Sequence, residues 1–457
     1  MTGIPVRRVA VVDIGKTNAK VALVDLETRS ELLSRAQRNR VRGDGPYPHH
    51  DVDAIWSFIV GGLAAMRRES PIEAVCVTTH GATAALVDTG GELALPVLDY
   101  EFGGPDEARE AYEEVRAPFS ETGSPALPAG LNLGAQLFWQ QQRFPEAFAE
   151  TRAVLTYPQF WTMKLTGVAA SEVTSLGCHT DLWNPYARDF SMLVRRMGWR
   201  GLFPAISPAA TMLGPLRPEI ASLTGIGPET PVACGIHDSN ASLLPHLVTR
   251  KPPFAVVSTG TWVISMAVGG RRVPLDPARD ALVNVDAFGG PVPSARFMGG
   301  REFEQMVPDA GPAADDDWSA VLSGPVMLMP SVSRGSGPYP ARSFAWRPTE
   351  PVGRERRTAT SFYLALMTAT CLDLIGADGD IVVEGPFARN RAYLAMLAAA
   401  TGRPVAAQPR STGTSLGAGL LVGSAPASLQ SDPVQIGDQA GRMRSYARQW
   451  VAAVSHE

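Results

Sequence analysis

The stretch Val9–Asp25, VAVVDIGKTNAKVALVD, decides how this fold begins. An apolar run extends to Asp13, is interrupted at Gly15 and then resumes. Two β-rich runs therefore flank a short polar turn. This pattern predicts a β-hairpin. It does not match a Walker A loop, because the stretch contains no GxxxxGK[ST] run and a strand, not a helix, follows the turn.

The predicted tip of this hairpin suits a polyphosphate and its Mg²⁺. Backbone N–H groups and Lys16 would hold the anionic oxygens, with the polar side chains of Thr17 and Asn18 alongside. The Asp13 carboxylate would reach the metal directly or through water. An ordinary solvated hairpin explains the stretch equally well when it is taken alone.

The length and net charge of the chain indicate how many domains and which kinds of partner to expect. The chain has 457 residues, and this length predicts two or three domains. A hydrophobic content of 45% is typical of a globular protein. The net charge of −4 gives no electrostatic reason to bind nucleic acid or an acidic membrane, so we expect neither partner.

The cysteines and the apolar runs predict a cytoplasmic protein. The cysteines are far apart and show neither CxxC nor metal-binding spacing, so we expect buried free thiols, as in a reducing compartment. The first apolar run is too short for a signal sequence, and no later run reaches membrane length. The cysteines are Cys76, Cys178, Cys234 and Cys371.

The order of predicted elements indicates an α/β fold with an internal repeat. Residues 51–68 have helical spacing, and residues 72–79 form a continuous apolar run that predicts a buried parallel strand. A second strand–turn–strand pattern appears at residues 254–266, about one domain length beyond the first. We therefore predict two related α/β domains, residues 1–245 and 246–457, each presenting a phosphate-facing hairpin.

Several polar residues follow predicted strands and are candidates for a site. Asp238 follows a short strand and suits a carboxylate base, although helix capping within DSNAS explains it as well. His80 follows the buried strand of residues 72–79, where ligands often bind in α/β sheets, but a structural histidine is as good an interpretation. Asn132 and Gln136 could bind a polyol, and Asn132 could instead cap a helix. The His49–His50 pair lies in a Pro-rich segment, and we expect it to be exposed and without a role.

Two phosphate-facing hairpins in two domains imply a nucleotide clamped in a cleft, with domain closure excluding water from the transferred phosphoryl group. The motifs DIGKTNAK, HDSNAS, STGTW, EGPFARN and STGTSLGAGLL follow one another in this order. Together they resemble the FGGY family of carbohydrate kinases, from about Val9 to Gly423. The resemblance implies two actin-like (ribonuclease H-like) α/β domains with an active-site cleft between them, and ATP and Mg²⁺ as cofactors.

The resemblance also implies roles for individual residues. Asp238 is the expected catalytic base, and Asp13 is the expected metal ligand. The residues expected to contact the nucleotide are Asp13, Gly15, Lys16, Thr17, Asn18, Ser258, Thr259, Gly260, Thr261, Gly385, Ala388, Asn390, Gly413 and Gly417. Those expected to face the substrate are His80, Gly81, Asn132, Gln136, His237 and Asp238.

The His-Asp pair of HDSNAS, with GTWVIS and FMGGREFE, is most similar to the rhamnulokinase and fuculokinase branch, which acts on 6-deoxyketohexoses. The chain departs from the family pattern at 97–102, where VLDYEF replaces a Trp-x-Asp-x-Arg-like signature, and at Pro386, where a second glycine is usual.

We expect an ATP-dependent kinase that phosphorylates a primary hydroxyl of a small ketose or deoxyketose such as L-rhamnulose or L-fuculose. Ribulose, xylulose or glycerol are alternative acceptors, and an actin-like ATPase or a sugar-binding regulator are alternative classes. A homodimer is compatible with the sequence.

Overall fold

The computed structural model describes residues 6–308, 318–409, 413–423 and 429–455. These residues form two compact units. The first contains the described residues of Met1–Thr249, Val283–Pro291 and Thr412–Ala427, and the second contains those of Arg250–Leu282, Val292–Ser411 and Ser428–Glu457.

Strands and helices alternate along residues 6–249. The strands are β1 (Arg8–Ile14), β2 (Asn18–Asp25), β3 (Ser30–Arg38), β4 (Val41–Arg42), β5 (His49–His50), β6 (Ala74–Thr79), β7 (Ala84–Val87), β8 (Leu93–Leu95), β9 (Ala153–Thr156), β10 (Trp183–Asn184), β11 (Asp189–Phe190), β12 (Met212–Pro215), β13 (Pro231–Ala233) and β14 (Ile236–His237). The helices are α1 (Val52–Glu69), α2 (Arg109–Val115), α3 (Phe119–Thr122), α4 (Leu133–Arg143), α5 (Pro145–Ala149), α6 (Tyr157–Thr166), α7 (Val173–Leu176), α8 (Met192–Arg196), α9 (Pro218–Thr224) and α10 (Asp238–Thr249).

The same alternation continues from residue 250. The strands are β15 (Phe254–Thr259), β16 (Val263–Val268), β17 (Ala281–Val285), β18 (Pro291–Phe297), β19 (Met327–Met329), β20 (Ala345–Arg347), β21 (Asp380–Glu384), β22 (Val405–Gln408) and β23 (Asp432–Pro433). The helices are α11 (Gly299–Met306), α12 (Ser319–Ser323), α13 (Gly353–Leu374), α14 (Arg391–Thr401), α15 (Gly413–Gly419) and α16 (Ala440–Ser455).

The main sheet of the first unit has the strand order β12-β13-β6-β1-β2-β3, and β14 also pairs with β6. β1 is antiparallel to β2 and parallel to β6. Side chains of β1 enter two different cores, with Ala10 and Val12 on one face and Val9 and Val11 on the other. Because both faces are covered, the strand reads as a continuous apolar run and not as an alternating one.

Helix α1 covers one face of this sheet, as its spacing predicts. The Asp51 carboxylate accepts a hydrogen bond of 3.2 Å from the N–H of Ala54 and so caps the helix. Ile55, Ile59 and Leu63 lie on one stripe and are buried in the core. Burial of each such side chain contributes about 1.5–3 kcal/mol.

The second unit repeats the hairpin arrangement. β15 is antiparallel to β16 and parallel to β21, which in turn is parallel to β22. Ala255 and Val257 of β15 pack in a core that also contains Phe362 of α13 and Leu397 of α14. The predicted second hairpin is therefore present. Its first strand, β15, has one antiparallel and one parallel neighbour, as β1 does in the first hairpin.

Candidate functional site

Three parallel strands of the first unit end at the same edge of the sheet. Ile14 of β1 and His237 of β14 both lie opposite Thr79 of β6. The residues that follow these strands, including His80 and Asp238, are therefore brought to one edge. The carboxyl edge of a parallel sheet is the usual place for a ligand site in α/β folds.

The first hairpin places Asp13 at this edge. The N–H of Gly15 donates to the carbonyl of Asn18 at 2.9 Å, which closes the turn. Lys20 lies opposite Asp13 in the strand register, with its Nζ 4.0 Å from Asp13 Oδ2. Burial raises the pKa of Asp13 to about 6, against the opposing effect of Lys20, and the negative charge of Asp238 raises it further. The two carboxylates therefore interact electrostatically.

Lys16 points toward the segment that departs from the family pattern. Its ammonium contacts the carboxylate of Asp99 and lies 3.5 Å from Glu101 Oε2. It also lies 4.7 Å from the centroid of the Tyr100 ring, a cation–π geometry. Phosphate binding by Lys16 stays a prediction. In this structure Lys16 supplies the positive charge beside Asp99.

Asp238 is the first residue of α10. Its Oδ1 accepts a hydrogen bond of 2.6 Å from the N–H of Ser239, and its side chain is 32% exposed. The helix start predicted within DSNAS is present. Asp238 therefore combines a position at a helix start with an accessible carboxylate near Asp13.

Two buried histidines lie near Asp238. The His237 ring is buried, and its Nε2 lies 3.3 Å from Asp238 Oδ1. The His80 ring is also buried, and its Nδ1 donates to the carbonyl of Gly81 at 2.9 Å. Burial lowers the pKa of His80 to about 4, so this imidazole is neutral. Its Nε2 is buried without a hydrogen-bond partner in the described residues, and so it is a ready contact for a ligand.

Asn132 and Gln136 are buried and hold loops together. The Asn132 Oδ1 accepts from the N–H of Leu127 at 2.8 Å, and its Nδ2 donates to the carbonyl of His179 at 2.9 Å. Asn132 occupies the cap position of α4 but makes no side-chain capping bond. Gln136 Nε2 donates to the carbonyl of Ala82 at 2.7 Å. Substrate contact by these two amides stays a prediction.

The second hairpin carries hydroxyl groups in place of charges. The Thr259 hydroxyl donates to the carbonyl of Glu384 and accepts from the N–H of Phe387 at 3.0 Å. The exposed residues Gly260 and Thr261 form the turn. Ser258 lies half-buried beside them.

Helix α11 begins directly against this second turn. A Cβ on Gly300 would collide with the carbonyl of Gly260, and the N–H of Arg301 donates to the carbonyl of Thr261 at 3.4 Å. The N-terminus of a helix favours negative charge. The sequence predicted the turn but did not predict the helix that starts on it.

The predicted adenosine segment forms a tight turn after β21. Gly385 has φ +80°, and a Cβ there would collide with the carbonyl of Thr259. Ala388 is buried in the short 3-10 turn that follows. Asn390 caps α14, since its Oδ1 accepts from the N–H of Tyr393 at 3.1 Å.

The last glycine motif lies in the first unit. Ser411 and Thr412 fall outside the described residues. Gly413 begins α15, which packs against α10, and a Cβ on Gly417 would collide with the carbonyl of Ala241. Gly417 permits close packing of the two helices, and the part of Gly413 and Gly417 in nucleotide binding stays a prediction.

The expectation that His50 is exposed was wrong. His50 lies in β5, which pairs with β4, and its ring lies 5.4 Å from the His80 ring and 5.5 Å from the Tyr157 ring. Its burial keeps the pKa well below the usual histidine value. No local sequence signal distinguishes this histidine from its half-buried neighbour His49. The prediction of free buried thiols was correct for all four cysteines.

None of the described helices has the length and apolar content that a membrane crossing requires. The described residues also include no group of three or more His, Cys, Asp or Glu side chains placed to hold a metal ion.

Comparison with known proteins agrees with this architecture. Residues 9–245 match the family model for the N-terminal domain of the FGGY family of carbohydrate kinases, and residues 251–431 match the C-terminal domain of carbohydrate kinase FGGY. The prediction of two FGGY-type α/β domains is thereby confirmed.

Individual proteins are similar to different extents. A crystal structure of a carbohydrate kinase from Novosphingobium aromaticivorans is 37% identical with a TM-score of 0.90, and 99% of each chain is covered. The L-fuculokinase of Salmonella typhi is 27% identical over 58% of this chain and 57% of its own length. The rhamnulokinase of Halalkalibacterium halodurans is 24% identical over 55% of this chain and 54% of its own. The chain thus spans a little over half the length of the curated relatives it matches.

Proposed function

Because the chain belongs to the FGGY family of carbohydrate kinases, we propose that it transfers the γ-phosphoryl group of ATP to a primary hydroxyl of a small ketose or deoxyketose. The observation that carries this proposal is the Asp238 carboxylate, accessible at the carboxyl edge of the sheet and electrostatically coupled to Asp13. The fuculokinase and rhamnulokinase relatives favour L-fuculose and L-rhamnulose as acceptors. The four free thiols support a cytoplasmic location.

Asp238 acts as the general base in this proposal. Its carboxylate accepts a hydrogen bond from the acceptor hydroxyl, orients the alcohol, and takes the proton as the new P–O bond forms. The neutral His80 ring and the Tyr100 ring line the same edge and contact the sugar. Most of the rate then comes from positioning and from stabilisation of charge, since phosphoryl transfer needs little covalent chemistry from the protein.

The residues at this edge fit a bound Mg²⁺. Asp13 is an oxygen ligand whose carboxylate is largely buried beside a second carboxylate, and a divalent cation offsets the resulting rise in the Asp13 pKa. When bound, Mg²⁺ supplies neutralisation of the charge on the phosphate oxygens. Asp13 would hold the ion, while the Lys16–Asn18 turn would present backbone amides to the phosphates.

In the second unit, we assign phosphate binding to the Thr259–Thr261 turn and adenosine binding to Gly385, Ala388 and Asn390. The turn offers backbone N–H groups and exposed hydroxyl groups. The segment after β21 offers small residues, over which a planar base can lie closely.

An ADP-release assay with Mg-ATP tests the proposal directly. The acceptor panel contains L-fuculose, L-rhamnulose, ribulose, xylulose and glycerol. ADP release that depends on one of these acceptors supports the kinase. Release without any acceptor would instead indicate an actin-like ATPase, and binding of a sugar without ATP turnover would indicate a regulator.

The assay is sharpened by the Asp238→Asn variant, which should lose roughly 10²–10⁴-fold in kcat while still binding ATP, because it keeps the shape but not the base. Asp378→Asn is the matched control, since Asp378 is also an aspartate whose Oδ1 accepts from the next N–H, at 2.8 Å, but it is exposed in the second unit. Near-normal turnover of Asp238→Asn would contradict the assignment of Asp238 as the general base.

A further inference from the structure

A cysteine that the proposed chemistry does not use lies beside the base. The Sγ of Cys178 is 3.5 Å from His237 Nε2, and the same nitrogen is 3.3 Å from Asp238 Oδ1. Cys178 is buried, and so is His237. The imidazole therefore bridges a buried thiol and an accessible carboxylate.

The surrounding chain fixes His237 through its backbone N–H and packs against its ring. The N–H of His237 donates to the Thr174 hydroxyl at 3.0 Å, and that hydroxyl donates to Glu172 Oε2 at 2.5 Å. A Cβ on Gly81 would lie 2.9 Å from His237 Nε2 and 3.2 Å from the Cys178 sulfur. The ring and the thiol are thus packed together with no room for another heavy atom at position 81.

We propose that Cys178 is a positioning residue for the base, with its thiolate and the His237 imidazolium forming an ion pair that orients the Asp238 carboxylate and places a positive charge beside it. The proton leaves Sγ and binds the imidazole, so that an N–H at Nε2 faces both the sulfur and Asp238 Oδ1. The base role of Asp238 rests on the proposed function. The ion pair itself does not.

The charges around the pair favour this arrangement. Burial opposes ionisation, but the negative charges of Cys178 and Asp238 raise the pKa of His237 to about 9, and Glu172 adds to the effect. Burial also opposes the thiolate, but His179 and His237 lower the pKa of Cys178 to about 5.

His179 also favours the thiolate, so two histidines lie beside the sulfur. His80 is neutral, because its pKa is lowered to about 4. Burial raises the pKa of Glu172 to about 7, and Asp13 faces Asp238 from the first hairpin. The Asn240 amide lies beside the ring, with its Nδ2 3.4 Å from His237 Nδ1, and a half-turn of this amide presents its oxygen to the Nδ1–H of the charged ring.

Ultraviolet absorbance of the thiolate tests the pair without any enzyme assay. Burial raises the pKa of each of the other three cysteines, so a thiolate band near pH 7 belongs to Cys178. We expect this band in the wild-type protein and its loss in Cys178→Ser. We also expect the band to weaken in His237→Gln, which retains the Cys178 thiol and the neighbouring His179 but removes one of the two histidines that favour the thiolate. Wild-type protein without the band at pH 7, or His237→Gln with the band unchanged, would overturn the proposal.

The pH profile of kcat/KM tests the positioning role once an acceptor is known. Without the thiolate, His237 loses its proton more readily, and the Asp238 carboxylate then loses the positive neighbour that lies 3.3 Å from its Oδ1. The acid limb of the profile should move to higher pH by about one unit in Cys178→Ser and Cys178→Ala alike, because a neighbouring charge shifts a carboxyl pKa by about 1–3 units.

Cys371→Ser, which removes a buried free thiol from α13, is the control and should leave the acid limb in place. If Cys178→Ser keeps the wild-type profile, Cys178 does not position the base, whatever its ionisation. An inactive wild-type protein that shows the thiolate band would contradict the kinase proposal and leave the ion pair supported.

Discussion

The two hairpins of this protein share their strand pairing but differ in charge. The β1–β2 hairpin carries the charged residues Asp13, Lys16 and Lys20, whereas the β15–β16 hairpin carries the hydroxyl residues Ser258, Thr259 and Thr261. Asp13 is largely buried and interacts with a second carboxylate. The Thr259 hydroxyl is hydrogen-bonded to backbone groups within residues 384–387.

This difference indicates that a repeated backbone can be used for two tasks. The first hairpin keeps the buried charge of Asp13 in place near Asp238, which costs stability. The second hairpin uses the Thr259 side chain to fix the turn at residues 384–387. Substitutions that remove a charge should therefore affect only the first hairpin. Substitutions that disrupt close backbone packing should affect only the second hairpin.

The largest expected effect comes from neutralising the first hairpin. Asp13→Asn should lower kcat by about 10²–10³-fold, because loss of one fixed electrostatic group in an active site has that magnitude. Ser258→Ala is the counterpart in the second hairpin and should lower kcat by less than about tenfold. Steady-state kinetics with the preferred acceptor measures both, and equal losses would contradict the contrast.

The second prediction concerns close packing at Gly385. Gly385→Ala combines a positive φ with a collision against the Thr259 carbonyl, so we expect a loss of about 3 kcal/mol in unfolding free energy. Gly402→Ala is matched, since Gly402 also has a positive φ, of +65°, but a Cβ there meets nothing within 4 Å. It should cost about 1 kcal/mol. Urea-unfolding midpoints compare the two, and similar shifts would show that the contact with Thr259 is not important.

The third prediction is a pH dependence of stability that belongs to the first hairpin. The pKa of Asp13 is raised from 3.8 to about 6, so the folded state binds a proton more readily than the unfolded state does. The ionised Asp13 therefore lowers stability above pH 6, and this cost disappears as the pH falls to about 4. Asp13→Asn should stabilise the protein by up to about 3 kcal/mol at pH 8 and much less at pH 4. A gain that is the same at both pH values would mean that ionisation of Asp13 is not its cause.

Local patterns were sufficient to predict much of this fold. The hairpins, α1 and β6 follow from periodicity and turn residues within short windows, and the order of motifs indicated the family. Burial of His50 depends on contacts with His80 and Tyr157, which lie far along the chain, so its Pro-rich surroundings were misleading. The Cys178–His237 contact joins residues 59 positions apart, and neither residue belongs to a recognisable motif for that chemistry.

Helix α15 has a consequence for the order in which the protein is made. Its Ala418, with Leu421 just beyond it, completes a core that also contains Ala241 and Leu244 of α10, although more than 160 residues separate the two helices in the sequence. During translation, α10 leaves the ribosome long before its covering helix exists. The apolar surface of α10 that α15 covers therefore stays exposed until the late α15 segment has been synthesised. A nascent chain halted after residue 249 would leave this part of the core exposed, where chaperones can bind it.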